Sequence, residues 1–175
     1  MNYREYIESF DNFPKPRVKF WDFTGVLLNP EIFNKTILEI EQAFKHVEFN
    51  KIVAVEAKGF LIGGALALHL AKPLTLVRKP GLIPGNVHTQ EFIKEYGSGT
   101  YEMKKNALSS SDKVLIIYDI LAGSGATLAA IKLVESQKAQ VSGCAFMIEL
   151  EYLQARQELG KYNIHSVIKI ADKNG

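Results

Sequence analysis

The chain has 175 residues, enough for one sizeable domain with its own core. Its 47% apolar and 23% charged residues are the balance of an ordinary globular protein, which excludes a low-complexity chain. The net charge of +2 comes from interleaved acids and bases, so the sequence predicts no nucleic-acid surface of the kind built on a long basic block.

The N-terminal MNYREYIESFDNF lacks the apolar centre of a signal peptide. Residues 3–10 predict a short helix, and PKPR after them is a break. Residues 30–47 carry apolar side chains at Ile32, Phe33, Ile37, Ile40, Ala43, Phe44 and Val47, which is helical spacing. Pro30 suits the first turn of that helix, and Asn29 its N-cap. KIVAVEA predicts a strand, GFLIGGALALHLA a helix and LTLVR another strand. The apolar FLIGGALALHLA is too short and too glycine-rich to span a bilayer comfortably. No membrane span and a cytoplasmic location are therefore expected.

From residue 79 the pattern dissolves into PGLIPGN, and QEFIKEYGSGTYEMK then predicts two strands around a Gly-Ser-Gly turn. KVLIIYD is a strand, residues 127–137 a helix, VSGCAFMIEL a strand, residues 152–159 a helix and HSVIKI the last strand. Cys144 is the one cysteine, so no internal disulfide can form. Its apolar strand makes it a core thiol. Strands alternating with helices predict a single α/β domain, a mostly parallel sheet covered on both faces. Such sheets bind ligands beyond the carboxyl ends of their strands.

Three strand ends carry suggestive residues: VEAKGF at 55–60, VRKPG at 77–81 and YDILAGSGAT at 118–127. In the last, Ala122, Gly123 and Gly125 allow close backbone approach to an anion at the start of a helix, where N–H groups and the helix dipole favour negative charge. Ser124 and Thr127 can add hydroxyl donors, and Asp119 can accept from sugar hydroxyls. The run is neither a GxGxxG fingerprint nor a P-loop. On its own it is equally an ordinary strand-to-helix turn.

These residues resemble the phosphoribosyl-pyrophosphate loop of type I phosphoribosyltransferases, in which acids end a strand and a Gly/Thr-rich loop holds the 5′-phosphate. Within that superfamily the chain resembles the adenine phosphoribosyltransferase family in order and across residues 13–170. FPKPRVKFWDFTGVLLNP is similar to its N-terminal hood, VEAKGFLIG to its pyrophosphate loop, and VRKPGLIP with KEYG to its flexible loop. The resemblance implies a hood over about 1–30 and a flexible two-stranded loop over about 79–105. It implies that Ala122, Gly123, Ser124, Gly125, Ala126 and Thr127 hold the 5′-phosphate and that Asp119 binds the ribose hydroxyls. Ala57, Lys58 and Gly59 would face the pyrophosphate, with Arg78 adding charge. Phe20 and Ile120 would sandwich the purine, the backbone near Lys19 and Trp21 would read its edge, and Glu95 would handle the base's proton. Mg²⁺ would arrive with phosphoribosyl pyrophosphate and take no direct protein ligand. A homodimer is implied as well.

Four positions depart from the family pattern. Tyr118 stands where the first of two adjacent acids is usual, Lys58 and Trp21 where arginines are, and Leu82 where a lysine is. The phosphate loop also reads AGSGAT in place of ATGGT. A lysine offers a point charge where arginine offers a planar fork. Two classes of function stay open: adenine phosphoribosyl transfer of reduced efficiency, and a non-catalytic purine or nucleotide sensor. A related enzyme for xanthine, hypoxanthine or guanine is a third. Retention of Asp119, Glu95 and Arg78 favours the first.

Overall fold

The computed structural model describes residues 3–94 and 97–172. A seven-stranded sheet runs in the order β5-β6-β4-β3-β7-β8-β9, built from β3 (Lys51–Val55), β4 (Leu74–Arg78), β5 (Val87–Lys94), β6 (Gly97–Lys104), β7 (Lys113–Leu121), β8 (Gln140–Leu150) and β9 (Ile164–Ile170). The pairs β3–β4, β3–β7, β7–β8 and β8–β9 are parallel, as the alternation of strands and helices predicts. Both faces of β7 are buried. Leu115 and Ile117 face a layer holding α2 (Pro30–Ala43) and α3 (Gly59–His69), and Val114 and Ile116 face α4 (Gly125–Ser136). Asn29 caps α2 as expected, its side chain accepting from the N–H groups of Glu31 and Ile32, a contact worth about 1 kcal/mol. Cys144 is fully buried, and burial pushes its thiol up to about 12. It is the core thiol that its strand implies.

Ahead of this sheet, β1 (Glu8–Asp11) and β2 (Lys19–Asp22) form a separate antiparallel hairpin, followed by the short helix α1 (Thr24–Leu28). The helix expected over residues 3–10 is only a 3-10 turn at Tyr3–Tyr6. Its next residues turn extended because their hydrogen bonds go across to β2, pairing Phe10 with Phe20. The helix expected over 152–159 is likewise two 3-10 turns, Glu151–Leu153 and Ala155–Gln157, separated by Gln154 at φ +54°.

The two strands expected near residue 90 are present, but Lys94 pairs with Gly97, so Gly97, Ser98 and Gly99 begin β6 and form no turn. This pair is not a free-standing excursion. β6 joins the edge of β4 antiparallel through Val77↔Met103 and Arg78↔Glu102, and Phe92, Tyr101 and Met103 are buried against the α4 layer.

Midway along α3 the helix lies close to the sheet at Gly63 and not at Gly64. A Cβ at Gly63 would stand 2.6 Å from the Ala54 Cβ of β3, whereas one at Gly64 meets nothing within 4 Å. Overpacking costs about 1–3 kcal/mol, and alanine gains about 1 kcal/mol over glycine inside a helix. Gly63→Ala should therefore lower the urea midpoint and Gly64→Ala raise it. Equal shifts of the same sign would refute this packing of α3.

Candidate active site

Strand β3 sits between β4 and β7 with all three parallel, so the segments that follow them leave the same edge of the sheet. Above that edge the hairpin β1–β2 roofs a cavity of 310 Å³. Lys19, Phe20 and Trp21 of β2 line it, with Lys58 from the β3–α3 loop and Asp119 and Ile120 of β7. Phe20 and Ile120 thus lie on the walls of one slot wide enough for a planar ring. Leu150, Tyr152 and Leu153 complete the wall, and no sequence pattern marked them. They follow β8, where Leu150 ends a run of apolar residues that reads as core alone.

Lys58 ties three elements together. Its Nζ is 3.5 Å from Asp22 Oδ1 and 4.8 Å from the ring centroids of both Phe20 and Phe23. Burial pushes the Asp22 carboxyl up, but the bonds from Thr24 and the Lys58 charge outweigh it and hold the group below its ordinary value. Asp119 goes the other way. Its burial raises the carboxyl, and the Lys58 charge and the Ile120 N–H, 2.9 Å from Oδ1, offset only part of that. Burial thus outweighs the Lys58 charge and the N–H groups of Ile120 and of Asp119 itself, and the carboxyl stays above its ordinary value on the cavity wall.

Tyr118 points to the opposite face of β7. Its hydroxyl is 2.5 Å from that of Tyr101 on β6, and its ring packs against Phe146. It takes no part in the cavity.

Beyond β7, residues 122–124 lead into α4. The first intrahelical bond runs from the Leu128 N–H to the Ser124 carbonyl, and the earlier N–H groups have no acceptor within the helix. A second hollow of 610 Å³ opens there, lined by Ile93, Gly123, Ser124, Gly125, Lys132 and Glu158 among others. Ala122 and Leu153 line both hollows, so the two share a wall. Ser124 Oγ donates to Glu158 Oε2 at 2.6 Å. Thr127 is only 1% exposed and Ala126 packs toward the core, so neither side chain reaches the hollow.

The pyrophosphate-loop residues are less convergent. The Glu56–Ala57 peptide is cis, and Gly59 packs against the end of β7. Arg78 is not on the cavity. Its Nε is 3.3 Å from Glu56 Oε2 and its Nη1 donates to the Leu82 carbonyl at 3.0 Å. Glu56 also accepts from the Lys79 N–H. Trp21 has a ring only 2% exposed, held between Arg4 at 4.6 Å and Lys19 at 5.1 Å. Glu95 lies outside the described residues. Among the described residues no cluster of three or more His, Cys, Asp or Glu side chains could hold a metal.

The chain is 44% identical over 165 residues to the adenine phosphoribosyltransferase of Thermosipho melanesiensis, covering 94% of each. The crystal structure of adenine phosphoribosyltransferase from Thermoanaerobacter pseudethanolicus superposes with a TM-score of 0.92 at 38% identity, covering 96% of this chain and 98% of that one. The Saccharomyces cerevisiae enzyme, crystallised with an imino-altritol bisphosphate and adenine, gives 0.86 at 36% identity, covering 94% and 96%. The chain belongs to the adenine phosphoribosyltransferase family. It carries that family's type I phosphoribosyltransferase fold, although no family model matches it. No helix among the described residues is long and apolar enough to cross a membrane.

The position of Asp119 has a consequence for stability. Its carboxyl is raised in the fold and ordinary in the unfolded chain, so above both values the fold carries the full cost of burying the charge. Asp119→Asn should raise the melting temperature at neutral pH. The gain should shrink as pH falls through the raised value and vanish below the ordinary one. A variant less stable at every pH would contradict the placement.

Proposed function

We propose that the chain catalyses adenine + phosphoribosyl pyrophosphate → AMP + pyrophosphate. The observation that carries this is one continuous edge holding, in order, an aromatic–aliphatic slot, a buried carboxylate and an open helix N-terminus. Those match a flat base, a diol and a phosphate respectively. Adenine lies between Phe20 and Ile120, with the backbone at Lys19 and Trp21 along its edge. Asp119 accepts from the ribose hydroxyls, and the N–H groups of residues 122–127 hold the 5′-phosphate.

In the reaction the base nitrogen N9 forms a bond to the anomeric carbon as the carbon–oxygen bond to pyrophosphate breaks. The electron pair leaves with pyrophosphate, and the N9 proton passes to Glu95, the residue that matches the family's acid–base position. Charge grows on the leaving group, so cations that meet it there act in the transition state. Lys58 is the nearest such cation, beside Ala57 and Gly59. Arg78 reinforces the loop through Glu56. Mg²⁺ would travel with its substrate, and Asp119 is the carboxylate that lines the cavity beside Lys58. When bound, the ion would neutralise pyrophosphate oxygens.

The whole chain acts as one domain, with the β1–β2 hairpin as hood over the cavity. One substrate, phosphoribosyl pyrophosphate, is a charged phosphate ester that does not cross membranes unaided, which supports a cytoplasmic location. Leu61 and Leu68 share one side of α3 and are 49% and 85% exposed, and Leu28 of α1 is 85% exposed. Such bare leucines support a homodimer.

The test is product formation with phosphoribosyl pyrophosphate, Mg²⁺ and each purine in turn. Adenine should be turned over in preference to hypoxanthine, guanine and xanthine. Asp119→Asn should lower kcat/KM about 10- to 150-fold, the loss of one charge-assisted bond worth about 1.5–3 kcal/mol. A folded chain that binds AMP and turns over no purine would replace this reading with a nucleotide sensor.

A further inference from the structure

The phosphate cradle already holds two oxygen acceptors. One is the Ile93 carbonyl, which lies so close to Gly125 that a Cβ there would stand 2.2 Å from it. The other is the Glu158 carboxylate on the Ser124 hydroxyl, at 2.6 Å. Glu158 is not there by chance of a loose loop. Arg156, two residues before it, is clamped to Glu149 by bonds of 2.9 and 2.5 Å and to the Ile164 carbonyl at 3.1 Å. Leu159, the next residue, is fully buried. With Arg156 so engaged, no ion pair to Glu158 forms among the described residues. A negative charge in no ion pair among the described residues therefore sits on the Ser124 hydroxyl, in a hollow that Lys132 also lines.

We propose that Glu158 sets the affinity of this cradle for the 5′-phosphate: its carboxylate occupies Ser124 and must swing into solvent before a phosphate can seat. This rests on the phosphoribosyl-transfer reading of the site. Glu158 is a specificity-determining residue that disfavours dianionic ligands and leaves the purine slot untouched, since it lines only the second hollow. Its exposed position allows the swing without unfolding, and the freed Ser124 hydroxyl then donates to the phosphate.

Glu158→Gln keeps an acceptor for Ser124 and removes the charge; Glu158→Lys reverses it. A like charge about 4–5 Å from a phosphate in a partly exposed cleft corresponds to about a 5- to 10-fold loss of affinity. Glu158→Gln should lower KM for phosphoribosyl pyrophosphate by that factor, with KM for adenine not following, and Glu158→Lys should lower it further. Titration calorimetry with inorganic phosphate and with AMP should show the same tightening. This readout stands even if no purine is turned over, so failure of the catalytic reading and failure of this one are told apart. The gain should shrink between about 0.01 M and 1 M salt, where the screening length falls from about 30 Å to about 3 Å. Phosphate affinity unchanged within about twofold in both variants, or weakened in both, would overturn the proposal.

Discussion

The site depends on how closely the loop after β3 can cross the end of β7. At residue 59 a Cβ would stand 3.0 Å from the Ile117 carbonyl oxygen and 3.3 Å from the Tyr118 Cα. Glycine lets α3 begin there with its first turn tight against the neighbouring strand. The last ladder pair is Ala54↔Ile117, after which β7 runs on to Leu121, and Gly59 keeps the loop after β3 in contact with it there. Lys58 is thereby held over the roof aromatics, near enough to Asp119 for its charge to lower that carboxyl. A larger residue at 59 would press on the end of β7 and push the Lys58 loop away from Asp119.

The departures from the family pattern each have a local partner in this fold. Tyr118 gives up a ribose acceptor and gains Tyr101, fastening β6 to β7 through a hydroxyl pair in a buried aromatic layer. Lys58 answers Asp22 and two aromatic rings. Trp21 fills the core under the hood, with Arg4 and Lys19 on its ring. Leu82 lends only its carbonyl, which receives Arg78. The result is a site poorer in free cations and richer in packing than the family pattern implies. Negative charge at Glu158 adds to that balance on the phosphate side.

The sheet was legible because β3, β7 and most of β8 are buried and read as apolar runs, and α2 ahead of them has a clear helical period. Asp119 and the small-residue loop stood out at a strand end, whereas Phe20 was singled out by the family resemblance alone, since an aromatic in an apolar segment otherwise reads as core. The hairpin β1–β2 was not, because all four residues of β1 are exposed and carry no alternation. The segment 152–159 has helical composition, but the left-handed Gln154 breaks it, and glutamine gives no sign of that. Arg78 was placed with the pyrophosphate residues because its strand end is correct. Its side chain turns to Glu56, a tertiary pairing that no local pattern encodes. Glu158 was missed for the same reason: its partner Ser124 is 34 residues away.

The central claim is that purine, ribose and phosphate lie in that order from the hood to the start of α4. A crystal structure with AMP bound measures this directly. The account predicts adenine between Phe20 and Ile120, the ribose hydroxyls on Asp119, and the phosphate on the N–H groups of residues 122–127 with Glu158 displaced from Ser124. AMP bound with its phosphate away from α4, or with its base outside the Phe20–Ile120 slot, would contradict it.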